Sequence, residues 1–316
     1  MIRTACLALL LALLPSFAVQ AQPQPGPQTR HWQVQADDGL PLSVWSRLPA
    51  NPRGTILLVH GRTWSSLPNF DLQVPGEPAD ARSVLAAFAG AGYATYALDL
   101  RGYGGTPRDR SGWNTPDRAV ADVTETLQWI ARRHPQLPAP TLLGYSNGAR
   151  LALLVAQAHP QALSASVLYG FPDDVDAGVA QETSAAQPPR ERTTAEGAAS
   201  DFVVAGAFPP QVRDAYVAQA LAADPVRSDW REQRQFRFRP EAVTTLPVLL
   251  IRGAHDPLAT QEENAKLYAR LGSEDRSWVT LPQADHVAHV EDGHAAWVGA
   301  IVDFLQRPRA AVAPVD

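Results

Sequence analysis

Thr141-Leu142-Leu143-Gly144-Tyr145-Ser146-Asn147-Gly148-Ala149-Arg150-Leu151-Ala152-Leu153-Leu154-Val155-Ala156 decides how the rest of the chain is read. An apolar run meets a serine with a glycine two residues to either side, and an apolar pattern of helical character follows. This predicts strand, sharp turn and helix, with Ser146 at the turn. Glycine is needed at both flanking positions because a Cβ there would collide with the neighbouring strand or helix. Such a turn holds the serine hydroxyl above the sheet edge, and the helix start behind it favours negative charge. Gly-x-Ser-x-Gly on its own also occurs as an ordinary turn, so its meaning depends on partners elsewhere.

Outward from that turn the chain alternates strands and helices. His31 to Ala36 and Leu42 to Arg47 flank Asp37-Asp38-Gly39 and read as an antiparallel hairpin. Thr55 to His60 is a continuous apolar run of the kind found in buried parallel strands, a helix is expected over Asp80 to Ala89, and Tyr93 to Leu98 is the next strand. Pro116 opens a helix to about His134, with Val120, Val123, Leu127 and Ile130 spaced by three and four. After the helix behind Ser146, which ends at His159-Pro160, comes the strand Ala165 to Tyr169. Regularity resumes with the strand Pro247 to Ile251, a helix over Gln261 to Leu271, a strand over Arg276 to Leu281 and a last helix over Gly293 to Leu305. The pattern predicts an α/β fold: a mostly parallel sheet with helices on both faces over 31–170 and 246–307. Residues 171–245, rich in Ala, Pro, Gln and Arg and with helical pieces around Gln211 to Ala223, break the alternation and read as a helical cap inserted after the sixth strand, with 308–316 as a tail.

Composition narrows the chemistry. Arg3, the apolar run Ala5 to Leu14 and the small-residue ending at Ala21 have the layout of a secretory signal peptide over 1–21, so an exported protein, periplasmic or secreted, is expected. Residues 22–30 form a Pro- and Gln-rich lead-in, and no later stretch approaches about 18 apolar residues, so no membrane span is expected in the mature chain. Net charge is −5, which gives no electrostatic footprint for nucleic acid. Cys6 is the only cysteine and would leave with the leader, which removes thiolate nucleophiles, disulfides and Cys-ligated zinc. Lys266, the only lysine, falls in an expected exposed helix, so Schiff-base and Ser–Lys chemistry lack support. Ser, His, Asp, Glu, Arg and backbone amides remain, and no cofactor is expected.

A nucleophilic serine needs a base, and the base needs an orienting group. Asp256 in Arg252-Gly253-Ala254-His255-Asp256-Pro257 and His286 in Gln283-Ala284-Asp285-His286-Val287-Ala288-His289-Val290-Glu291 both follow strands, so strand-end loops would bring them to the same rim as Ser146. With these residues in the order Ser, Asp, His, the chain resembles the α/β-hydrolase superfamily, serine esterases with an inserted cap, over about 31 to 306 outside the insertion. His60-Gly61 resembles the family's oxyanion-hole element, and Asp99-Leu100-Arg101-Gly102-Tyr103-Gly104 its turn after the fourth strand.

The resemblance implies a Ser146, Asp256, His286 triad, with the backbone N–H of Asn147 as one oxyanion donor and that of Arg62 or a near neighbour as the second. Relatives place an apolar residue and Pro, or a Gly run, after His-Gly, whereas Arg62-Thr63-Trp64-Ser65-Ser66 stands here, and this leaves the second donor open. His289 and His294 compete with His286, which is favoured because relatives carry an acid about five residues on, matching Glu291. His255, Asp173 and Asp174 have bland readings as loop packing and solvated entry to the insertion, although some relatives carry the acid after the sixth strand. His286, His289, His294 and Glu291 can also be read as a metal cluster. Trp64, Tyr145 and Trp113 are candidate pocket residues, and Trp230 to Arg239 reads as a cap helix with snorkelling arginines. The expected function is cleavage of carboxylic esters in a small-molecule acyl substrate through an acyl-enzyme. The alternatives are an amidase or aminopeptidase using the same triad, and a non-catalytic binding protein on a hydrolase scaffold. Acyl chain length and oligomeric state are not readable from these residues.

Overall fold

The computed structural model describes residues 28–177 and 185–308. The leader over 1–21, the lead-in up to 27, residues 178–184 of the insertion and the tail from 309 lie outside the described residues. The strands are β1 (Arg30–Gln35), β2 (Pro41–Arg47), β3 (Gly54–Val59), β4 (Tyr93–Leu98), β5 (Trp113–Asn114), β6 (Thr141–Tyr145), β7 (Ala165–Tyr169), β8 (Asp229–Trp230), β9 (Val248–Gly253) and β10 (Arg276–Leu281). The helices are α1 (Ser66–Phe70), α2 (Val84–Gly90), α3 (Pro116–Arg133), α4 (Asn147–Ala158), α5 (Ala195–Ala199), α6 (Pro210–Ala223), α7 (Gln261–Arg270) and α8 (His294–Gln306).

Eight strands form one sheet in the order β1-β2-β4-β3-β6-β7-β9-β10, while β5 and β8 pair as a separate two-stranded ribbon. β1 and β2 form the antiparallel hairpin, β2 runs antiparallel to β4, and every pairing from β4 to β10 is parallel. Continuous apolar runs suit these strands because side chains alternate between two covered faces. On β3, Leu57 and Val59 enter one core cluster and Ile56 and Leu58 the other. The first cluster takes Ala119, Val123, Leu127 and Ile130 of α3 and Leu151 to Ala156 of α4; the second takes Val84, Leu85 and Phe88 of α2 and Trp297, Ile301 and Phe304 of α8. Each fully buried Leu, Ile or Phe contributes roughly 1.5–3 kcal/mol of transfer free energy, so the two apolar layers fix the sheet far more firmly than any surface ion pair.

Local chemistry sets the element ends. Thr115 caps α3 by accepting a hydrogen bond from the Arg118 N–H, Pro116 starts it, and Arg132 and Arg133 close it against the negative end of the helix dipole. Thr260 and Glu263 form a capping box on α7. The helix expected from Asp80 begins only at Val84, capped by Ser83. Asp80 sits at φ 67°, and its carboxylate instead receives two hydrogen bonds from the buried Arg47 guanidinium, at 2.7 and 2.6 Å. Thr29, at the end of the expected lead-in, donates to Asp71 at 2.6 Å and accepts from Arg47 Nε at 2.9 Å.

The segment between β7 and β9 follows the sixth strand of the main sheet. It carries α5, α6, β8 and two short 3-10 turns. The stretch Trp230 to Arg239 is not the expected helix: Trp230 ends a strand, Gln233–Gln235 is a single 3-10 turn, and Phe236 is buried. The reason is packing, since Trp230 and Phe236 both join the core cluster on the α4 side, whereas residues six apart on a regular helix lie about 120° apart around its axis and Trp230 is also held in the β5 pairing. Side-chain hydrogen bonds fasten the segment to the loops after β3 and β4. Asp224 accepts from Ser65 N–H at 2.8 Å and Gly104 N–H at 2.9 Å, Tyr216 donates to Asn69 Oδ1 at 3.0 Å, and Trp230 Nε1 donates to the Tyr103 hydroxyl at 2.8 Å.

Candidate active site

Ser146 stands between β6 and α4 with φ 55° and ψ −118°, a left-handed region that a non-glycine residue occupies only under strain. Its N–H is tied to Tyr169 O at 2.8 Å. The flanking glycines are dictated by contact: a Cβ on Gly144 would lie 2.1 Å from Gly148 O, and one on Gly148 would lie 2.2 Å from Val59 O. Because α4 begins at Asn147, the first N–H groups of that helix have no acceptor within it and gather above the serine.

His286 follows β10 and Asp256 follows β9, so adjacent parallel strands deliver both to the rim. His286 Nδ1 lies 2.8 Å from Asp256 Oδ2, while Asp256 Oδ1 accepts the N–H groups of Leu258 at 2.9 Å and Ala259 at 3.0 Å. With Nδ1–H given to the carboxylate, Nε2 is the basic nitrogen. Buried Nε2 has no hydrogen-bond partner among the described residues, so the bond to Ser146 is open in this structure. An unsatisfied buried nitrogen costs about 1–3 kcal/mol, which a hydroxyl or a leaving group in the cavity would recover. Catalytic contacts of this kind commonly tighten only on substrate binding. A Cβ on Gly170, at φ 59°, would press to 3.0 Å of His286 Cε1 and 3.4 Å of Asp256 Oδ2, so that glycine makes room for the pair.

Around Ser146 and His286 lies a cavity of ≈ 290 Å³, whose wall also includes Arg62, Trp64, Asn147, Arg150 and Asp201. Tyr145 lines it as well, with its ring centroid 5.0 Å from that of His286. Gly61 packs against the serine, a Cβ there falling 3.3 Å from Ser146 Cβ. His60 is buried and neutral, burial pressing its pKa down to about 4; its Nδ1 contacts Gly61 O at 2.8 Å and its Nε2 accepts from Leu100 N–H at 3.1 Å. Since the peptide is planar and trans, anchoring the Gly61 carbonyl turns the Arg62 N–H the opposite way. The Tyr103 hydroxyl donates to the Arg62 carbonyl and fixes that residue from the other side.

A sequence profile of the family described as serine aminopeptidase, S33, matches residues 50–293. The chain belongs to this family of α/β-hydrolases. Solved structures share the fold at low identity. An esterase from Pyrococcus furiosus is 18% identical, covering 89% of this chain and 90% of that one, with a TM-score of 0.58. A serine hydrolase involved in carbazole degradation is 18% identical over 88% of this chain and 99% of that one, at a TM-score of 0.62. An E-2-(acetamidomethylene)succinate hydrolase is 18% identical over 89% and 100%, at 0.58. No curated protein matches the chain in sequence.

Other sequence candidates of this serine aminopeptidase family member fall elsewhere. Trp113 is buried in the β5–β8 ribbon and is absent from the cavity wall, because its pairing with Asp229 holds it under the insertion. His255 is exposed. Asp173 accepts from Arg150 Nε at 2.6 Å and Asp174 from Lys266 at 2.7 Å, so both are paired rather than solvated, and neither holds His286. The residues proposed as a metal cluster do not converge: His289 Nδ1 contacts the Tyr169 hydroxyl at 3.2 Å, His294 Nδ1 contacts His289 O at 2.6 Å, and no group of three ligating side chains among the described residues could hold a metal ion. Glu291 is buried beneath the His286 loop, its Oε2 accepting from Asp285 N–H at 3.3 Å. Burial and the neighbouring Asp285 charge push its pKa up to about 9, so it stays protonated at neutral pH. Asp285 in turn accepts from Val203 and Val204 N–H at 2.7 and 3.0 Å, joining the histidine loop to the insertion.

Two wall residues carried no sequence signal that was used. Arg150 stands four residues beyond Ser146, one helical turn into α4, and that spacing could have revealed it; its Nη1 donates to Asn147 Oδ1 at 3.1 Å, and its guanidinium lies 3.5 Å from the Phe236 ring centroid. Asp201 comes from the unpatterned insertion. Burial pushes the Asp201 pKa up, and the charges it feels are those of His286, Asp256 and Asp285. Burial alone would depress the His286 pKa, but the Asp256 hydrogen bond and the charges of Asp256, Asp201 and Asp285 outweigh it, and the net direction is upward. With His286 as the proposed base, its neutral form is the active one, so the acidic limb of a kcat/KM–pH profile is expected above the ordinary histidine value rather than at it. Asp201→Asn removes one of the charges that hold the proton and should move that limb to lower pH; a limb that stays in place would show that Asp201 does not act on His286.

Proposed function

We propose that this α/β-hydrolase is a serine hydrolase that cleaves carboxylic esters through an acyl-enzyme. The observation that carries the reading is the combination in one cavity of the strained Ser146 and the unpartnered Nε2 of a histidine whose Nδ1 is held by Asp256 at 2.8 Å. Ser146 Oγ attacks the acyl carbonyl as His286 Nε2 takes its proton, and Asp256 keeps the imidazole in the accepting tautomer and stabilises the imidazolium. The oxyanion is received by the Asn147 N–H, with the Arg62 N–H as second donor; one such donor is worth about 10²–10³ in turnover. The C–O bond breaks, His286 returns the proton to the departing alkoxide, and water then repeats the sequence to release the acid and restore Ser146. The leader-like N-terminus supports export, to the periplasm or outside the cell.

A cavity of ≈ 290 Å³ is at the small end of ligand pockets, which favours short acyl groups. Aminopeptidase activity is the second reading, favoured by the family description and by Asp201, an acid on the cavity wall that could receive an amine. A panel of p-nitrophenyl esters of increasing acyl length, run beside aminoacyl arylamides, tests the choice. Ester hydrolysis with an optimum at short chains is expected, with arylamides turned over far more slowly. Arylamides cleaved faster than every ester would reverse the assignment.

A further inference from the structure

Among the described residues, the cavity wall holds one arginine without an ion-pair partner. Arg150 is committed: Asp173 holds its Nε at 2.6 Å, and its Nη1 braces Asn147. Arg62 is different. Its side chain lines the same cavity, yet among the described residues it forms no ion pair within 4.0 Å, and its hydrogen bond is a long one from Nη1 to Gln233 Oε1 at 3.4 Å. The side chain is exposed where it lines the cavity, so an anion bound there can reach it. Asp201, the acid on the cavity wall, is not among the ion-pair partners of Arg62.

We propose that Arg62 receives a carboxylate on the acyl portion of the substrate, making half-esters of dicarboxylic acids, or acyl groups of like charge, the preferred substrates. The inference rests on the serine-hydrolase reading above. Gly61 packs on Ser146, so the next residue in the chain is within side-chain reach of a group a few bonds from the carbonyl under attack. A guanidinium offers a carboxylate two parallel N–H donors in a planar fork. The same residue thus serves twice: its backbone N–H at the oxyanion and its side chain at the far end of the acyl chain.

The test compares kcat/KM for p-nitrophenyl hemiglutarate with that for its neutral isostere, p-nitrophenyl 5-methylhexanoate, after subtraction of spontaneous hydrolysis. The wild-type protein should favour the anionic ester by about 10- to 100-fold, the range of a charge-assisted hydrogen bond. Arg62→Gln should reduce this ratio by a similar factor, whatever it does to turnover common to both esters, and Arg62→Lys should restore part of it. Raising the ionic strength should narrow the wild-type preference. A wild-type ratio at or below one, or a ratio that Arg62→Gln leaves unchanged, overturns the inference. Ser146→Ala separates the two readings. If that variant is inactive while the wild type takes both esters equally, only the carboxylate assignment falls; if it cleaves both as fast as the wild type, the serine reading falls and this inference with it.

Discussion

Ser146→Ala is expected to lower kcat for the best ester by about 10⁶-fold while leaving the fold in place, as measured by steady-state kinetics beside thermal unfolding. The size of the effect follows from the task that the proposed mechanism gives the hydroxyl. Without it there is no acyl-enzyme, and what survives is the modest acceleration from the oxyanion donors and from binding, roughly 10³–10⁴ over water. The stability should not suffer, because methyl for hydroxymethyl at a strained position between two fixed glycines removes no hydrogen bond given by the side chain; the Ser146 contacts that hold the turn are backbone ones, to Tyr169 O and from Ala149 N–H. Retention of more than a few per cent of turnover would contradict it.

Asp256→Asn should reduce kcat by about 10⁴-fold with little change in KM. The carboxylate has three acceptor contacts: Leu258 and Ala259 N–H on Oδ1, and His286 on Oδ2. An asparagine can keep its oxygen toward the two backbone amides, which then forces its NH2 toward His286 Nδ1. Two donors cannot face each other, so the imidazole must move its proton to Nε2, and the nitrogen nearest Ser146 becomes a donor that cannot accept the serine proton. The same variant removes the first attractive contributor to the raised His286 pKa, so its residual activity should show an acidic limb displaced to lower pH. Near-normal turnover would mean that another group orients the base, and Asp201 is the acid on the cavity wall.

How much of this was readable beforehand depended on what each residue's structure rests upon. β6 and the serine turn were legible because their rules are local: an unbroken apolar run for a strand covered on both faces, and two glycines at which a Cβ would push strand and helix apart. Asp256 and His286 were legible because parallel neighbouring strands place the loops that follow them together, and β9 and β10 are such neighbours. Within residues 171–245 the helix around Gln211 to Ala223 was legible and stands as α6, but the rest was not, since its conformation comes from partners far away in sequence: Asp224 with Ser65 and Gly104, Trp230 with Tyr103. No periodicity announces such contacts, which is why Trp230 to Arg239 reads as a helix in sequence and Asp201 carries no sequence signal. Asp80 misled in the same way, its helix-start character being overridden by the buried Arg47. Trp64 and Trp113 looked alike in sequence; only the one close behind His60-Gly61 reaches the cavity, while the other belongs to the ribbon with Asp229 and Trp230.

The claim on which the rest depends is that His286 makes the Ser146 hydroxyl nucleophilic, and reaction with a fluorophosphonate followed by peptide mass spectrometry addresses it most directly. The account predicts one adduct per chain, on the peptide carrying Ser146, lost in Ser146→Ala and formed far more slowly in His286→Ala. An adduct on another residue, or no adduct in a protein that still hydrolyses esters, would contradict it.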